Sequence, residues 1–346
     1  MLAVSCVSQS DDQPLSGLQV GDVDEPGDLD GWVRVHVRAA ALNHHDLWSL
    51  RGVGLPADRL PMILGCDAAG VLDDGSEVVV HAVIGDPDAG GGDETLDPRR
   101  TLLSELHPGT LAEQLLVPER NIVAKPATMT FEQAASVPTA WLTAYRMLTS
   151  RSGLDGPATV LVQGAGGGVA SAAIVLAKAL GHTVFCTSRD ADKRDRAIAA
   201  GADVAVSSGE KLPEKVDVVI ETVGAATWEH SLRALRPGGR IVVSGATSGM
   251  NPPAELNRVY FLQLSVVGST MGTRDELVAM LELMERHGVE PMISDVRPLT
   301  DAATFVRAAR TWRPVRQARP DDLTDRRTCA GPMSEQRTSA RMATLS

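Results

Sequence analysis

A cluster of glycines separates a short apolar run from an alanine-rich stretch in the segment 159–178, which reads TVLVQGAGGGVASAAIVLAK. The turn of this segment contains Gly164, Gly166, Gly167, Gly168 and Val169. A pyrophosphate can approach the backbone N–H groups at a helix N-terminus only where no Cβ atom blocks it. The spacing G-x-x-G-x-x-A therefore predicts a strand, a tight turn and a dinucleotide-binding helix. The alternative is a glycine-rich turn that serves only close helix packing.

The segments after the glycine turn alternate between strand and helix patterns. We predict strands at 183–187, 216–221 and 241–244, and a helix at 193–200. Alternation at this spacing indicates an α/β fold of the Rossmann type, with a doubly wound parallel sheet. Ligands of such sheets bind beyond the carboxyl ends of the strands. The small residues at two of these ends are Thr222, Val223, Gly224, Gly245, Ala246 and Thr247.

Length and composition indicate an ordinary globular chain of two domains. The chain has 346 residues, of which 43% are hydrophobic and 22% are charged. Its net charge of −11 argues against nucleic acid or an anionic membrane as a partner, because both attract basic surfaces. The four cysteines are scattered and form no CxxC pair, which argues against a disulfide framework. Because neither a signal peptide nor a membrane-spanning run is recognisable, we expect a cytoplasmic protein.

The segment before the glycine turn has a β-rich pattern. Valines alternate with polar residues over 33–37, which is the period of a half-buried strand. Further strands are predicted at 70–72 and 77–83, and one or two helices at 131–148. The acidic, glycine-rich run 85–95 predicts a flexible surface loop.

The order of five motifs resembles that of the medium-chain dehydrogenase/reductase superfamily, and most closely its zinc-independent, quinone oxidoreductase-like branch. These motifs are VRVHVRAAALNHHDLWSLRG, PMILGCDAAG, GTLAEQLLVPERNIVAKP, ASVPTAWLTAYRML and VQGAGGGVASAAIVLAK. The resemblance implies a GroES-like β-rich catalytic domain at 1–126, a Rossmann domain at 127–268 and a return to the catalytic domain at 269–312. It also implies a nicotinamide cofactor between the domains, and a homodimer formed through Rossmann edge strands near 265–270.

The end of the second Rossmann strand bears on the choice of nicotinamide. NAD-binding sites usually place an acidic residue there for the ribose 2′-hydroxyl. This sequence has Ser188 and Arg189 at that point and Lys193 on the next helix, which suit the 2′-phosphate of NADPH. The alternative is that both basic side chains are merely solvated and that Asp190 turns toward a ribose, which would favour NADH.

Zinc is not expected, although one large branch of the superfamily uses it. By the resemblance, the positions of its catalytic zinc ligands hold Asn43, then Cys66 with Asp67, and then Thr139 or Ala140. A catalytic zinc needs three protein ligands from Cys, His or carboxylate side chains. An alternative site would combine the two histidines of the NHHD segment with Cys66 and Asp67.

The resemblance also implies a substrate pocket lined by Asn43, Trp48, Cys66, Thr139 and Trp141. The nicotinamide would lie near Thr222, Gly245 and Thr270. Asn43 is the first candidate for polarising a substrate oxygen, because its amide can donate a hydrogen bond without a change of charge. Its alternative role is an Asx turn at the end of a strand.

Three functions remain open on the sequence alone. Without a metal, hydride transfer from NADPH to a quinone or to an activated C=C or C=O bond of a small molecule suits the residues best. An alcohol dehydrogenase, with or without zinc, is the second. A non-catalytic NADPH-binding sensor is the third.

The last residues depart from the superfamily pattern. The run 313–346 is rich in arginine and poor in large apolar residues, which predicts a disordered tail. We therefore expect the strand that usually closes the catalytic domain to be missing.

Overall fold

The structure is a computed structural model, and it describes residues 1–304 and 340–345. In the β-rich part the elements are β1 (Leu2–Cys6), β2 (Leu18–Asp22), β3 (Trp32–Ala41), α1 (His44–Leu50), β4 (Met62–Ile63), β5 (Asp67–Leu72), β6 (Glu77–Val80), β7 (Val83–Ile84), β8 (Thr101–Leu102), β9 (Gln114–Pro118), β10 (Ile122–Ala124) and α2 (Phe131–Ala135). They are followed by α3 (Ala140–Leu148), β11 (Thr159–Val162), α4 (Gly168–Ala179), β12 (Thr183–Thr187), α5 (Ala191–Ala199), β13 (Val204–Val206), β14 (Val216–Glu221), α6 (Ala225–Ala234), β15 (Leu235–Val243), α7 (Leu256–Phe261), β16 (Ser265–Gly268), α8 (Arg274–His287), β17 (Ile293–Pro298) and β18 (Arg341–Leu345). Within the described ranges, no helix has the length and apolar character that a membrane span requires.

The β-rich part is built around a seven-stranded sheet. Its order is β10-β6-β5-β3-β18-β17, and β9 also pairs with β3. The alternation predicted for 33–37 lies in β3, where it buries Val35 and Val37 in the core. The segment predicted as one strand at 77–83 is divided into β6 and β7.

The second part contains a six-stranded parallel sheet in the order β13-β12-β11-β14-β15-β16. The predicted strands at 183–187 and 216–221 coincide with β12 and β14. Helices cover both faces of this sheet, so successive residues of one strand enter different cores. In β11, Val160 and Val162 pack with α3 and α4, whereas Leu161 packs into the core on the opposite face. Burial on both faces explains why these strands are nearly continuous apolar runs.

The expectation of a missing closing strand is wrong. Strand β18 lies between β3, to which it is parallel, and β17, to which it is antiparallel. Met342 and Ala343 are buried in the core of the β-rich part. The composition of the last residues did not indicate this strand, because its five residues, with two buried positions, follow a long arginine-rich run. Residues 313–339 of the predicted disordered tail lie outside the described residues.

The prediction of a flexible loop at 85–95 is also wrong at its far end. Asp93 Oδ2 accepts a hydrogen bond from the Arg146 guanidinium of α3 at 2.5 Å, and that guanidinium also donates to Glu276 Oε2 of α8 at 2.8 Å. The neighbouring Glu94 is 3% exposed and accepts from the Arg274 backbone N–H at 2.7 Å. Hydrogen bonds of Asp93 and Glu94 therefore connect this loop of the β-rich part to α3 and α8 of the second part.

The closing strand predicts a specific pattern of stability. Met342→Ala should lower the free energy of unfolding by about 2–5 kcal/mol, because it leaves a cavity in a closed core. Arg341 is the matched control in the same strand, since its side chain is exposed and meets Glu132 in a surface ion pair at 3.5 Å. Arg341→Ala should cost less than about 1 kcal/mol. Denaturant unfolding of both variants measures the difference, and equal small losses would contradict the placement of β18.

Candidate functional site

The glycine turn forms an open cradle at the N-terminus of α4. Gly164 and Gly166 have φ angles of +74° and +104°, which residues with side chains rarely adopt. A Cβ atom at Gly164 would lie 2.5 Å from Val223 Cγ2, and one at Gly166 would lie 2.6 Å from Lys193 Cδ. Gly167 is the N-cap of α4 and has no neighbouring heavy atom within 4 Å of its Cβ position. The Gly164 and Ala165 N–H groups donate to Thr187, and the open space at Gly167 leaves room for a phosphate at the start of α4.

A buried chain of hydrogen bonds lies below the cradle and connects three neighbouring strands. Thr187 Oγ1, at the end of β12, donates to Gln163 Oε1 at 2.6 Å. Gln163 follows β11, and its Nε2 donates to Ser231 Oγ of α6 at 2.9 Å. Ser231 Oγ in turn donates to Glu221 Oε2, at the end of β14, at 2.6 Å. All four side chains are fully buried.

Glu221 extends this chain of hydrogen bonds into the loop after β14. Its Oε1 accepts the backbone N–H groups of Val223 at 2.8 Å and Gly224 at 3.0 Å. Gly224 has a φ of +89° and begins α6 as its N-cap. The Ser248 backbone N–H donates to Val223 O at 2.7 Å, which holds the loop after β15 beside the loop after β14. The buried Glu221 carboxylate therefore holds the loop after β14, and this loop holds the loop after β15 through Val223. Sequence analysis identified only the small residues of these two loops.

The structure places the predicted cofactor residues at one edge of the six-stranded sheet. Those in or beside the loops after β11, β14, β15 and β16 are Gly164, Gly166, Gly167, Gly168, Val169, Thr222, Val223, Gly224, Gly245, Ala246, Thr247 and Thr270. Because all these strands are parallel, their carboxyl ends meet at that edge.

The remaining predicted cofactor residues lie after β12. Asp190 Oδ1 accepts the Lys193 backbone N–H at 3.2 Å, so this carboxylate caps α5. Ser188 is 5% exposed, and its carbonyl oxygen accepts a hydrogen bond from Arg194 Nη1 at 2.8 Å. The side chain of Arg189 is exposed, and Lys193 lies against the glycine turn. Sequence analysis did not identify Arg194, whose guanidinium binds the Ser188 carbonyl oxygen after β12.

Asp67 connects the two parts of the chain. It begins β5, is 0% exposed, and its Oδ1 accepts a hydrogen bond from Thr139 Oγ1 at 2.6 Å. Its Oδ2 accepts one from Asn43 Nδ2 at 2.8 Å. Burial raises the pKa of Asp67 to about 7, against the lowering effect of these two hydrogen bonds, and the negative charge of Asp46 adds to the rise. Sequence analysis considered Asp67 only as a substitute zinc ligand.

The segment after β3 positions Asn43. The Asn43 backbone N–H donates to Asp46 Oδ2 at 2.8 Å at the start of α1. Asp46 is 2% exposed, and burial raises its pKa. Asn43 is therefore the N-cap residue of α1, while its side-chain amide donates to Asp67.

The other predicted pocket residues have different surroundings. Trp48 is half-buried, and the Arg51 guanidinium lies 5.4 Å from the centre of its ring. Trp141 is 3% exposed and packs in the core around α3. The structure does not bring these two rings into the Asn43, Asp67 and Thr139 hydrogen-bond group.

The residues at the zinc positions do not fit a zinc ion. Cys66 is 1% exposed, and its Sγ donates to Leu103 O at 3.3 Å. Burial and the negative charges of Asp46 and Asp67 raise the pKa of this thiol well above its ordinary value. Asn43 and Thr139 are already bonded to Asp67. In the ranges that the structure describes, no group of three or more His, Cys, Asp or Glu residues could hold a metal.

Two family models match this chain. The alcohol dehydrogenase GroES-like domain matches residues 29–127, and the zinc-binding dehydrogenase model matches residues 168–286. Acryloyl-coenzyme A reductase of Metallosphaera sedula is 30% identical over 80% of this chain and 88% of its own length. The spectinabilin polyketide synthase system protein NorB of Streptomyces orinoci is 33% identical over 81% of this chain, which spans only 13% of that relative.

Solved structures agree with these matches. An NAD-dependent alcohol dehydrogenase has a TM-score of 0.82 at 34% identity, over 90% of this chain and 96% of that one. The 2-octenoyl-CoA carboxylase reductase CinF, solved with NADP and 2-octenoyl-CoA, has a TM-score of 0.83 over 99% of this chain and 87% of that one, and at 24% identity it shows the fold alone. The predicted combination of a Rossmann domain and a GroES-like domain is confirmed. The chain belongs to the medium-chain dehydrogenase/reductase superfamily of oxidoreductases.

Proposed function

We propose that the chain reduces a C=C bond conjugated to a carbonyl group, with NADPH as the hydride donor and a small 2-enoyl thioester as the substrate. The observation that carries this proposal is that the side chains at the expected substrate site, Asn43, Asp67 and Thr139, are bonded to one another as a polar hydrogen-bond group rather than arranged as zinc ligands. Alcohol oxidation requires a Lewis acid or strong base for the hydroxyl proton, whereas enoyl reduction requires a positioned hydride and a donor for the oxyanion. Relatives named as acryloyl-coenzyme A reductase and crotonyl-CoA reductase support the substrate class.

Different residues of this chain would perform different steps of such a reaction. NADPH supplies the hydride when it is bound. The glycine turn at the N-terminus of α4 would bind its pyrophosphate, and the loops shaped by Glu221 would line its path along the sheet edge. Asp67 takes one of the two amide hydrogens of Asn43, which leaves the second for the carbonyl oxygen of a substrate. A donor at that oxygen stabilises the negative charge that develops during hydride addition.

The choice of NADPH rests on the end of β12. Asp190 is engaged as the cap of α5, so its carboxylate is directed to backbone N–H groups there. Arg189 is exposed beside it, and the aliphatic part of Lys193 lies against Gly166. Two cations at this edge suit a 2′-phosphate better than a 2′-hydroxyl.

The partner that we propose is a second copy of this chain. Strand β16 is an edge strand of the six-stranded sheet and pairs only with β15 among the described strands. Val266 within this strand is 50% exposed, and Tyr260 and Phe261 of the preceding α7 are 72% and 80% exposed. An unpaired edge flanked by apolar side chains suits a two-fold contact in which two β16 strands pair.

The substrate class is tested by NADPH oxidation with a panel of small 2-enoyl thioesters, a simple quinone and, in the oxidative direction, primary alcohols with NADP⁺. We expect kcat/KM for the best 2-enoyl thioester to exceed that for the quinone by at least about tenfold, because the site offers one oriented donor for one carbonyl oxygen. A chelator should leave this activity intact. Turnover of alcohols alone would instead support the alcohol dehydrogenase alternative. So would a loss of activity when a chelator removes bound zinc. Cofactor binding without any turnover would support a sensor.

Cofactor preference is tested by Arg189→Ala. Loss of a charge-assisted hydrogen bond worth about 1.5–3 kcal/mol should raise KM for NADPH about 10- to 100-fold and leave KM for NADH nearly unchanged. Arg196→Ala, in the last turn of α5, also removes one positive charge and serves as the control. Equal effects of the two variants would contradict a 2′-phosphate site at Arg189.

The dimer is tested by light scattering of the intact chain and of Phe261→Glu. The wild type should have twice the mass of one chain, and the variant should be a monomer, because a carboxylate cannot be buried unpaired in an apolar contact. Ile198→Glu is the control, since Ile198 is 47% exposed on α5, away from β16. A monomeric wild type would rule out this contact.

A further inference from the structure

Gln163 lies at the centre of the buried hydrogen-bond chain below the glycine turn. It follows β11 directly, is 0% exposed, and its backbone N–H donates to Ile220 O of β14 at 3.0 Å. Its side-chain Oε1 contacts Thr187 Oγ1 at 2.6 Å. Its Nε2 contacts Ser231 Oγ at 2.9 Å and His230 Nδ1 at 3.0 Å. Both amide hydrogens and the amide oxygen therefore have partners.

The contact with Ser231 fixes which way the amide of Gln163 faces. The Glu221 carboxylate can only accept hydrogen bonds, so the single hydrogen of the Ser231 hydroxyl goes to Glu221 Oε2, which is 2.6 Å away. The Ser231 oxygen must then accept from Gln163, and the atom that faces it must be Nε2 rather than Oε1. A carboxylate at the end of β14 thereby determines the orientation of an amide at the end of β11.

The imidazole of His230 requires the same orientation independently. Its Nε2 lies 2.8 Å from Glu210 O, and because a carbonyl oxygen can only accept, the ring hydrogen is on Nε2. In the neutral ring Nδ1 is then an acceptor, and it takes the second amide hydrogen of Gln163. Half a turn of the amide would place Oε1 against two acceptors, so two separate partners exclude the reversed orientation.

The oxygen end of the amide acts on the glycine turn through Thr187. Because Oε1 accepts, the Thr187 hydroxyl donates to it, and the hydroxyl oxygen is left to accept the Gly164 N–H at 3.4 Å. The Thr187 carbonyl oxygen accepts the next N–H, that of Ala165, at 2.8 Å. A Cβ atom at Gly164 would lie 2.5 Å from Val223 Cγ2, so the turn also touches the loop after β14.

We infer that Gln163 is a positioning residue for the dinucleotide, an inference that rests on the proposed function. The hydroxyls of Thr187 and Ser231 can turn their hydrogens either way, whereas an amide keeps its donor and its acceptor at opposite ends. Gln163 therefore gives all the hydrogen bonds from Gly164 to Glu221 one direction. The pyrophosphate cradle and the loop after β14 are held in one relative position before NADPH binds, which lowers the cost of binding it.

The first test is the Kd for NADPH, measured by fluorescence titration of Gln163→Met and Gln163→Glu. Methionine removes the donor and the acceptor, and glutamate removes only the donor, at nearly the same side-chain length. Each should raise the Kd about 10- to 100-fold, because buried partners lose their hydrogen bonds. The kcat at saturating NADPH should stay near the wild-type value, since the amide lies below the pyrophosphate cradle.

Gln133→Met is the matched control, because it removes the same amide from the capping box of α2 in the β-rich part. It should leave the Kd for NADPH unchanged. A wild-type Kd in both Gln163 variants would overturn the inference, and so would an equal rise in the control.

Thr187 provides a second pair of variants in the same hydrogen-bond chain. Thr187→Val should raise the Kd for NADPH as Gln163→Met does, and Thr187→Ser should restore most of the affinity because the hydroxyl is kept. Combining Gln163→Met with Thr187→Val should weaken binding no further than the weaker single variant, since both break the same chain. Fully additive effects would contradict a single connected chain.

A measurement on the cofactor-free protein tests the direction of the hydrogen bonds itself. The imidazole signals of His230 in nitrogen NMR, assigned by their loss in His230→Asn, should show a hydrogen on Nε2 and none on Nδ1. In Gln163→Glu a carboxylate faces Nδ1, which should then carry a hydrogen as well. A wild-type ring with its hydrogen on Nδ1, or an unchanged ring in Gln163→Glu, would overturn the inference. A wild type with the expected ring that binds no NADPH would instead contradict the proposed function.

Discussion

The cofactor side of this protein depends on a buried chain of hydrogen bonds that crosses the carboxyl ends of three parallel strands. Thr187, Gln163, Ser231 and Glu221 belong to β12, the turn after β11, α6 and β14, and each is bonded to the next. Glu221 ends the chain on two backbone N–H groups. Each of these four buried side chains has a partner, so a change at one loop would leave a buried group unsatisfied in the next. The separate loops therefore behave as one surface.

At the junction of the two parts, charged side chains form a similar network of hydrogen bonds. Arg146 bonds Asp93 of the β-rich part and Glu276 of α8, and it is 4% exposed. A buried cation between two carboxylates contributes more to a defined arrangement than to net stability, since desolvation offsets most of the attraction. The Asp67 and Thr139 hydrogen bond crosses the same junction. The position of Asp67 relative to the Rossmann sheet thus depends on contacts far apart in sequence.

Several features were predictable because they depend on local pattern. Strands β12 and β14 coincide with their predicted ranges, since strands buried on both faces are short, apolar runs with clear ends. The glycines at 164 and 166 were recognisable because their backbone conformation excludes other residues. Strand β18 was missed because its burial comes from β3 and β17, and the loop at 85–95 because Arg146 lies 53 residues beyond Asp93.

By itself, the sequence determined the two-domain α/β fold, the superfamily and the cofactor edge, because periodicity and glycine spacing are local consequences of backbone geometry. Only the tertiary structure decided which polar residues act together. Asp67 reads in sequence as an acidic residue among small apolar ones, and its chemistry arises from burial and from two partners 24 and 72 residues away. Solvation and hydrogen bonding set the protonation of a carboxyl group, and both depend on neighbours that only the folded chain brings into contact.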